Sequence, residues 1–160
     1  MIPVDRMVEL SNLNELRIAR AQRRRYMLRA VTASLCWGWR DQHLVRGWQL
    51  PHRVYVLHLL DECQFKVGLT RADSNRRIRN LGCGRTASLV EDIETSNRLI
   101  AELVEVDVLK LVEPWHQLGD HSRTGRGHTE LWSDGGPSID LAEVLAGVRR
   151  DVAEALESRD

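Results

Sequence analysis

Hydrophobic and polar positions along the 160 residues change period several times, and each change predicts an element. Over residues 4–32, Val8, Leu13, Leu16, Ala19, Arg23 and Met27 recur at roughly helical spacing, which predicts a helix. Residues 33–50 hold Trp37, Trp39 and Trp48 with Gly38 and Gly47 between them, and Pro51 marks a boundary. Val54 to Leu60 is a near-continuous apolar run, as in a strand buried on both faces. Asp61 and Glu62 break it as a turn, and Gln64 to Leu69 reads as the partner of a hairpin. An N-cap at Asp73 or Ser74 and a stop at Gly82 enclose a short Arg-rich helix from Ser74 to Leu81. Ala87 to Ile93 is a third strand, and Ser96 or Asn97 caps a longer helix running to Glu113, ahead of Pro114. A polar loop from His116 to His128 follows, then Glu130-Leu131-Trp132. Pro137-Ser138 opens a last helix with Leu141, Val144, Leu145, Val148 and Val152 on its apolar side.

The expected architecture is α+β, a small three-stranded, mostly antiparallel sheet flanked by helices. The segments divide as an N-terminal helical, Arg-rich extension over 1–50, a β-β-α-β-α unit over 51–135, and a C-terminal amphipathic helix over 136–160.

Composition narrows the class. An apolar fraction of 42% and a charged fraction of 29% fit a globular chain. No apolar run approaches the roughly 20 residues of a membrane span, and no apolar block follows the first charges as in a secretory signal. Cys36, Cys63 and Cys83 form no C-x-x-C pair, so neither a zinc site nor a disulfide framework is expected, and a cytoplasmic setting is the simplest. Charge is zero in total but uneven: residues 1–50 carry +5, residues 51–90 carry +4 and residues 91–160 carry −9. That distribution suits a chain that meets a polyanion on one face. A preference for Arg, which supplies 21 of the 23 bases, accounts for it as well.

The chemistry-bearing residues lie in the middle of the chain. Tyr55 and Lys66 stand eleven residues apart across the hairpin turn, which sets them close to opposite one another. Gly68 leaves room for a group to approach the strand backbone. Arg76, Arg77 and Arg79 offer bidentate contacts to phosphate. Glu105 sits among Ala101, Val104, Val108, Leu109 and Val112, where a carboxylate must be paired, neutralised or bound to metal. A magnesium ion needs only one or two protein carboxylates. The Arg20–Arg25 cluster reads equally as a phosphate grip or a solvated helix face. His116, His121 and His128 lack ligand spacing, and the Trp residues of 37–48 read as an apolar pad before a stacking platform.

These residues resemble the GIY-YIG nuclease superfamily over residues 53–132, half the chain. In RVYVLHLLDECQFKVGLT, Val54-Tyr55 stands where the family has Ile-Tyr, and Val67-Gly68 where it has Ile-Gly. RRIRNL resembles the family's Arg-bearing helix, with Arg77 favoured over Arg76 by the apolar residue that follows. ETSNRLIAELVEVDVLKLVEPWHQ resembles the long-helix region, which puts Glu105 on the metal-binding Glu and Gln117 where many members carry Asn. Two positions depart from the pattern: Arg53 replaces the first-motif Gly and Lys66 the second-motif Tyr. Phe65-Lys66-Val67-Gly68 and Glu130-Leu131-Trp132 resemble a phage-derived branch. The resemblance implies a DNA endonuclease with Mg²⁺ or Mn²⁺, strandedness open. Tyr55 would activate or orient water and Lys66 would replace the second tyrosine hydroxyl. Arg77 would stabilise charge on the phosphate, and Glu105 would hold the metal, with Glu130 either a second metal-binding carboxylate or a fold-closing residue. Gly68, Arg71, Arg76 and Arg79 would lie against the substrate, and the N-terminal segment would add affinity or a homodimer or protein contact. The alternatives are a nucleic-acid-binding or protein-interaction module without catalysis, and a structural or regulatory partner using the Trp pad and the tail helix.

Overall fold

A computed structural model describes residues 4–74, 87–117 and 130–159, with the backbone alone at 4–11. Helix α1 (Val4–Trp37) extends the expected helix by more than a turn and is about 50 Å long. A short helix α2 (Asp41–Val45) follows. The hairpin pairs β1 (His52–Leu59) with β2 (Gln64–Arg71) through a single 3₁₀ turn at Leu60–Glu62. Cys63 closes that turn in the left-handed region at φ 51°. β3 (Ala87–Thr95) leads into α3 (Arg98–Leu111), whose N-cap is Asn97: its side chain accepts from the Ile100 amide. The chain then forms β4 (His116–Gln117), β5 (Leu131–Ser133) and α4 (Leu141–Glu157). The α4 N-terminus is held twice, by the Asp140 cap on Glu143 and by Glu91 Oε1, which accepts from the Leu141 amide at 2.9 Å.

The class is α+β with an antiparallel sheet, but the sheet has five strands in the order β3-β1-β2-β5-β4, not three. The two additions span two and three residues, too short to carry a period-two signal. They form because Leu131 and Trp132 pair with Lys66 and Phe65 along the open edge of β2. The expected helix at 74–81 lies outside the described residues.

Register corrects the hairpin geometry. Tyr55 stands opposite Gly68, and Lys66 stands opposite Leu57. Tyr55 and Lys66 are diagonal neighbours on one face of the sheet. The two-residue offset arises because the turn is centred later than Asp61.

The Val54–Leu57 stretch of β1 is apolar because both faces of the strand are buried there. Val54 and Val56, with Val67 and Leu69 of β2, join the main core that α3 fills with Leu99, Ala101, Leu103, Val104 and Val108. Tyr55, Leu57 and Leu59 form a second cluster with Leu131 on the other face. Met27 and Val31 of α1 and Leu141, Leu145, Val148 and Val152 of α4 belong to the same main core. The three sequence segments thus share one hydrophobic interior. No helix among the described residues is long and apolar enough to cross a membrane.

Candidate active site

Gly68 and Tyr55 are fitted to one another. A Cβ at Gly68 would lie 2.5 Å from the Tyr55 hydroxyl oxygen and 2.6 Å from its Cζ, so only glycine leaves space for the ring. Tyr55 itself is fully enclosed. Two residues along the same face, the buried Lys66 directs Nζ to Glu130 Oε2 at 3.2 Å. Glu130 is placed for this by its backbone, whose carbonyl accepts from the Val67 amide as β5 begins.

Glu105 enters from α3. It is 3% exposed, and burial together with the nearby Glu130 pushes its carboxyl up to about 7. Arg23 of α1 opposes that rise by donating to Glu105 Oε1 at 2.9 Å. The same guanidinium donates to Glu102 Oε2 at 2.9 Å, and Arg98 donates to Glu102 Oε1 at 2.9 Å. Arg20 lies one turn away and is pulled down by burial, against the attraction of Glu113, Glu130 and Glu105. The result is a half-enclosed cluster in which Glu105, Glu130 and Glu102 are held by Lys66, Arg23 and Arg98, with Arg20 beside them.

The structure therefore links Lys66 to Glu130 and Glu130 to Glu105, while the Tyr55–Gly68 pair neighbours Lys66 on the sheet face away from α3. Arg71 is elsewhere, exposed at the far end of β2 and paired with Asp73 at 2.9 Å. Arg76, Arg77 and Arg79 lie outside the described residues. Gln117 is also apart, its amide oxygen accepting from Gln64 Nε2 at 2.9 Å. His58 pairs with Asp134 at 3.1 Å. Cys36 and Cys63 are free thiols.

Sequence reasoning missed Arg23 and Glu102. A signal existed: Glu102 and Glu105 are three apart on α3, and Arg20 and Arg23 three apart on α1, so each helix presents a complementary pair on one face. The Arg20–Arg25 cluster is accordingly neither a simple solvated face nor a simple phosphate grip. Arg24 donates to Asp107 at 2.7 Å and also pairs with Asp151 of α4, and Arg17 donates to Glu113 at 2.6 Å. Packing α1 against α3 and α4 spends much of the basic front half on the acidic back half. Even so, a groove of about 670 Å³ between α1 and the end of α3 keeps Arg20, Arg25 and Lys110 beside Arg17 and Arg24, with Glu113 as its one carboxylate among the described residues.

A divalent ion fits this chemistry in one respect. Burial, with Glu130 within its field, keeps the Glu105 carboxyl raised even with Arg23 in place. Among the described residues no three His, Cys, Asp or Glu side chains are placed to hold a metal ion together. An ion here would be held by Glu105 and Glu130 and completed by water and phosphate oxygens. Comparison with models of known families, with curated proteins and with solved structures finds no match for this chain.

Proposed function

We propose that this chain is a metal-dependent endonuclease of GIY-YIG type that hydrolyses phosphodiester bonds in DNA. One observation carries the proposal: Lys66 of the hairpin pairs with Glu130 before β5, and Glu130 acts on the buried Glu105 of α3, so that three residues far apart in sequence are joined through one carboxylate. The Glu-Leu-Trp segment that the resemblance singles out is the segment that delivers Glu130.

In the reaction, water attacks phosphorus, the bond from phosphorus to the leaving sugar oxygen breaks, and the water proton passes to a base. Glu105 and Glu130 would hold Mg²⁺ or Mn²⁺, which when bound supplies charge stabilisation at the leaving oxygen. Tyr55 is enclosed, so its hydroxyl acts by orienting the neighbouring polar groups or the water at the edge of the site. Lys66 fixes the Glu130 carboxylate and presents its ammonium towards the phosphate. Arg77 would stabilise the phosphate as the resemblance implies. Arg20 stands at both the carboxylate cluster and the basic groove, which gives a duplex backbone a path to the cluster.

The Arg23 contact favours a second reading, a nucleic-acid-binding module without catalysis. Arg23 already supplies Glu105 with a cation, and such a pair can be purely structural. Nicking of supercoiled plasmid with Mg²⁺ or Mn²⁺ separates the two. Loss of nicking with chelator, with Glu105→Gln and with Tyr55→Phe supports the nuclease. Salt-sensitive DNA binding by a folded protein that never nicks supports the module.

A further inference from the structure

Beyond Arg20 and Arg25 of the basic groove, the described arginine side chains of α1 divide into two groups. Arg17, Arg23 and Arg24 face α3 and α4 and are paired with acids there. Arg29 points to solvent with Arg40, which follows α1, and Arg159, just past α4. None of these three makes an ion pair among the described residues. They surround a groove of about 370 Å³, and no acidic side chain is among its described lining.

Two aromatic rings stand in that groove, Tyr26 at 49% exposure and Trp37 at 78%. They share one stripe of α1, eleven residues apart, or about 16 Å. The positions between them on that stripe are alanines, which leave a flat floor. Arg159 lies over the Trp37 ring at 5.1 Å, so one face of the indole carries a cation while the ring as a whole stays open to solvent. A lone exposed Trp would need no explanation, but Trp37 shares one stripe with exposed Tyr26 beside three guanidiniums that have no acidic partner among the described residues.

We propose that this groove is a binding site for a single nucleic-acid strand, separate from the carboxylate cluster. An unpaired base would stack on Trp37 or Tyr26, and the flanking phosphates would contact Arg29, Arg40 and Arg159. A duplex satisfies the phosphate contacts alone, because its bases are already stacked. An acidic peptide satisfies the charges but leaves the indole without a planar partner. The site rests on nucleic acid being this chain's partner, as proposed above, but not on cleavage.

The test is anisotropy of a short fluorescein-labelled oligo(dT), measured with the full chain in chelator so that nothing is cut. A duplex of equal length and polyglutamate serve as competitors. The expected result is preference for the single strand, about tenfold weaker binding in Trp37→Ala, and near-native binding in Trp37→Phe. Arg29→Ala/Arg40→Ala should lower the slope of log affinity against log salt by about 1.4. Unchanged binding in Trp37→Ala, or competition by duplex or polyglutamate equal to that of the single strand, overturns the site. The two proposals fail separately. Nicking that requires Glu105 while binding ignores Trp37 removes this site alone. Trp37-dependent binding by a protein that never nicks removes the nuclease alone and leaves this site standing.

Discussion

Gly68 and Glu105 are the residues at which a single atom decides most. Gly68→Ala would drive a methyl group to 2.5 Å from the Tyr55 hydroxyl, inside a strand pair that has no slack. Overpacking of this kind costs about 1–3 kcal/mol. Urea unfolding should give that loss for Gly68→Ala alone and a smaller one when Tyr55→Leu is present in the same chain. Equal losses in both backgrounds would mean that the ring is not what excludes the methyl. Glu105 is decided by a proton. Its carboxyl rises from 4.5 to about 7, through burial first and Glu130 second. Below pH 4.5 the group is protonated both folded and unfolded and contributes nothing. Between 4.5 and 7 the folded state binds the extra proton, so stability falls as pH rises, by about 3 kcal/mol in all at 1.36 kcal/mol per unit. Glu105→Gln removes that slope. Its melting temperature relative to the native chain should therefore rise from pH 5 to pH 8, and a constant difference would show that Glu105 is already ionised at pH 5.

At the scale of elements, Arg23 is the tie between α1 and α3 that meets buried carboxylates, beside the Arg24–Asp107 pair and the packing of Met27 and Val31. Removing Arg23 strands Glu105 and leaves Glu102 with Arg98 alone. Stranding a buried charge costs about 3–5 kcal/mol, and here less, because Arg23 is 31% exposed at its side chain and Glu105 can take up a proton. We expect Arg23→Ala to lower the melting temperature by about 4–8 °C at pH 8, for a loss near 2 kcal/mol, and by less at pH 5. Scanning fluorimetry at the two pH values checks this, and a loss independent of pH would place the effect in packing rather than charge. This pairing also marks where the sequence stops being legible. The hairpin, β3 and the Asn97 cap of α3 could be read because each is specified within a few residues, by an apolar run or a capping side chain. Arg23 and Glu105 are 82 residues apart, and only the packing of two helices joins them. β4 and β5 were hidden for a related reason, since Leu131 and Trp132 become strand only because β2 offers an open edge. Tyr55, Lys66 and Gly68 were legible as a group, but which of them face each other depended on where the turn is centred.

For the whole molecule, the uneven charge and the three-segment organisation have one cause. The excess of base in residues 1–50 and of acid in 91–160 looks like a surface for a polyanion when read along the chain. In three dimensions much of it closes on itself, through Arg17 to Glu113, Arg23 to Glu102 and Glu105, and Arg24 to Asp107 and Asp151. The extension and the tail helix are then parts of the fold rather than attachments to it. Met27 and Val31 on one side and Leu141, Leu145, Val148 and Val152 on the other cover α3, which is buried on nearly every face. The segment 51–135, which carries the whole sequence resemblance, should therefore fail to fold alone. Without α1 and α4, α3 would keep only the sheet as a partner and would expose Leu103 and Leu109 along with an uncompensated Glu105 and a Glu102 left with Arg98 alone. Exposure of several such side chains, at about 1.5–3 kcal/mol each, is comparable to the whole stability of an ordinary domain. Expressed by itself, 51–135 is expected to bind a hydrophobic dye and to lack a cooperative thermal transition, while the full chain melts cooperatively. A sharp transition in the isolated segment would mean that the sheet and α3 hold together unaided, and that Arg23 neutralises Glu105 as an accessory rather than as part of the core.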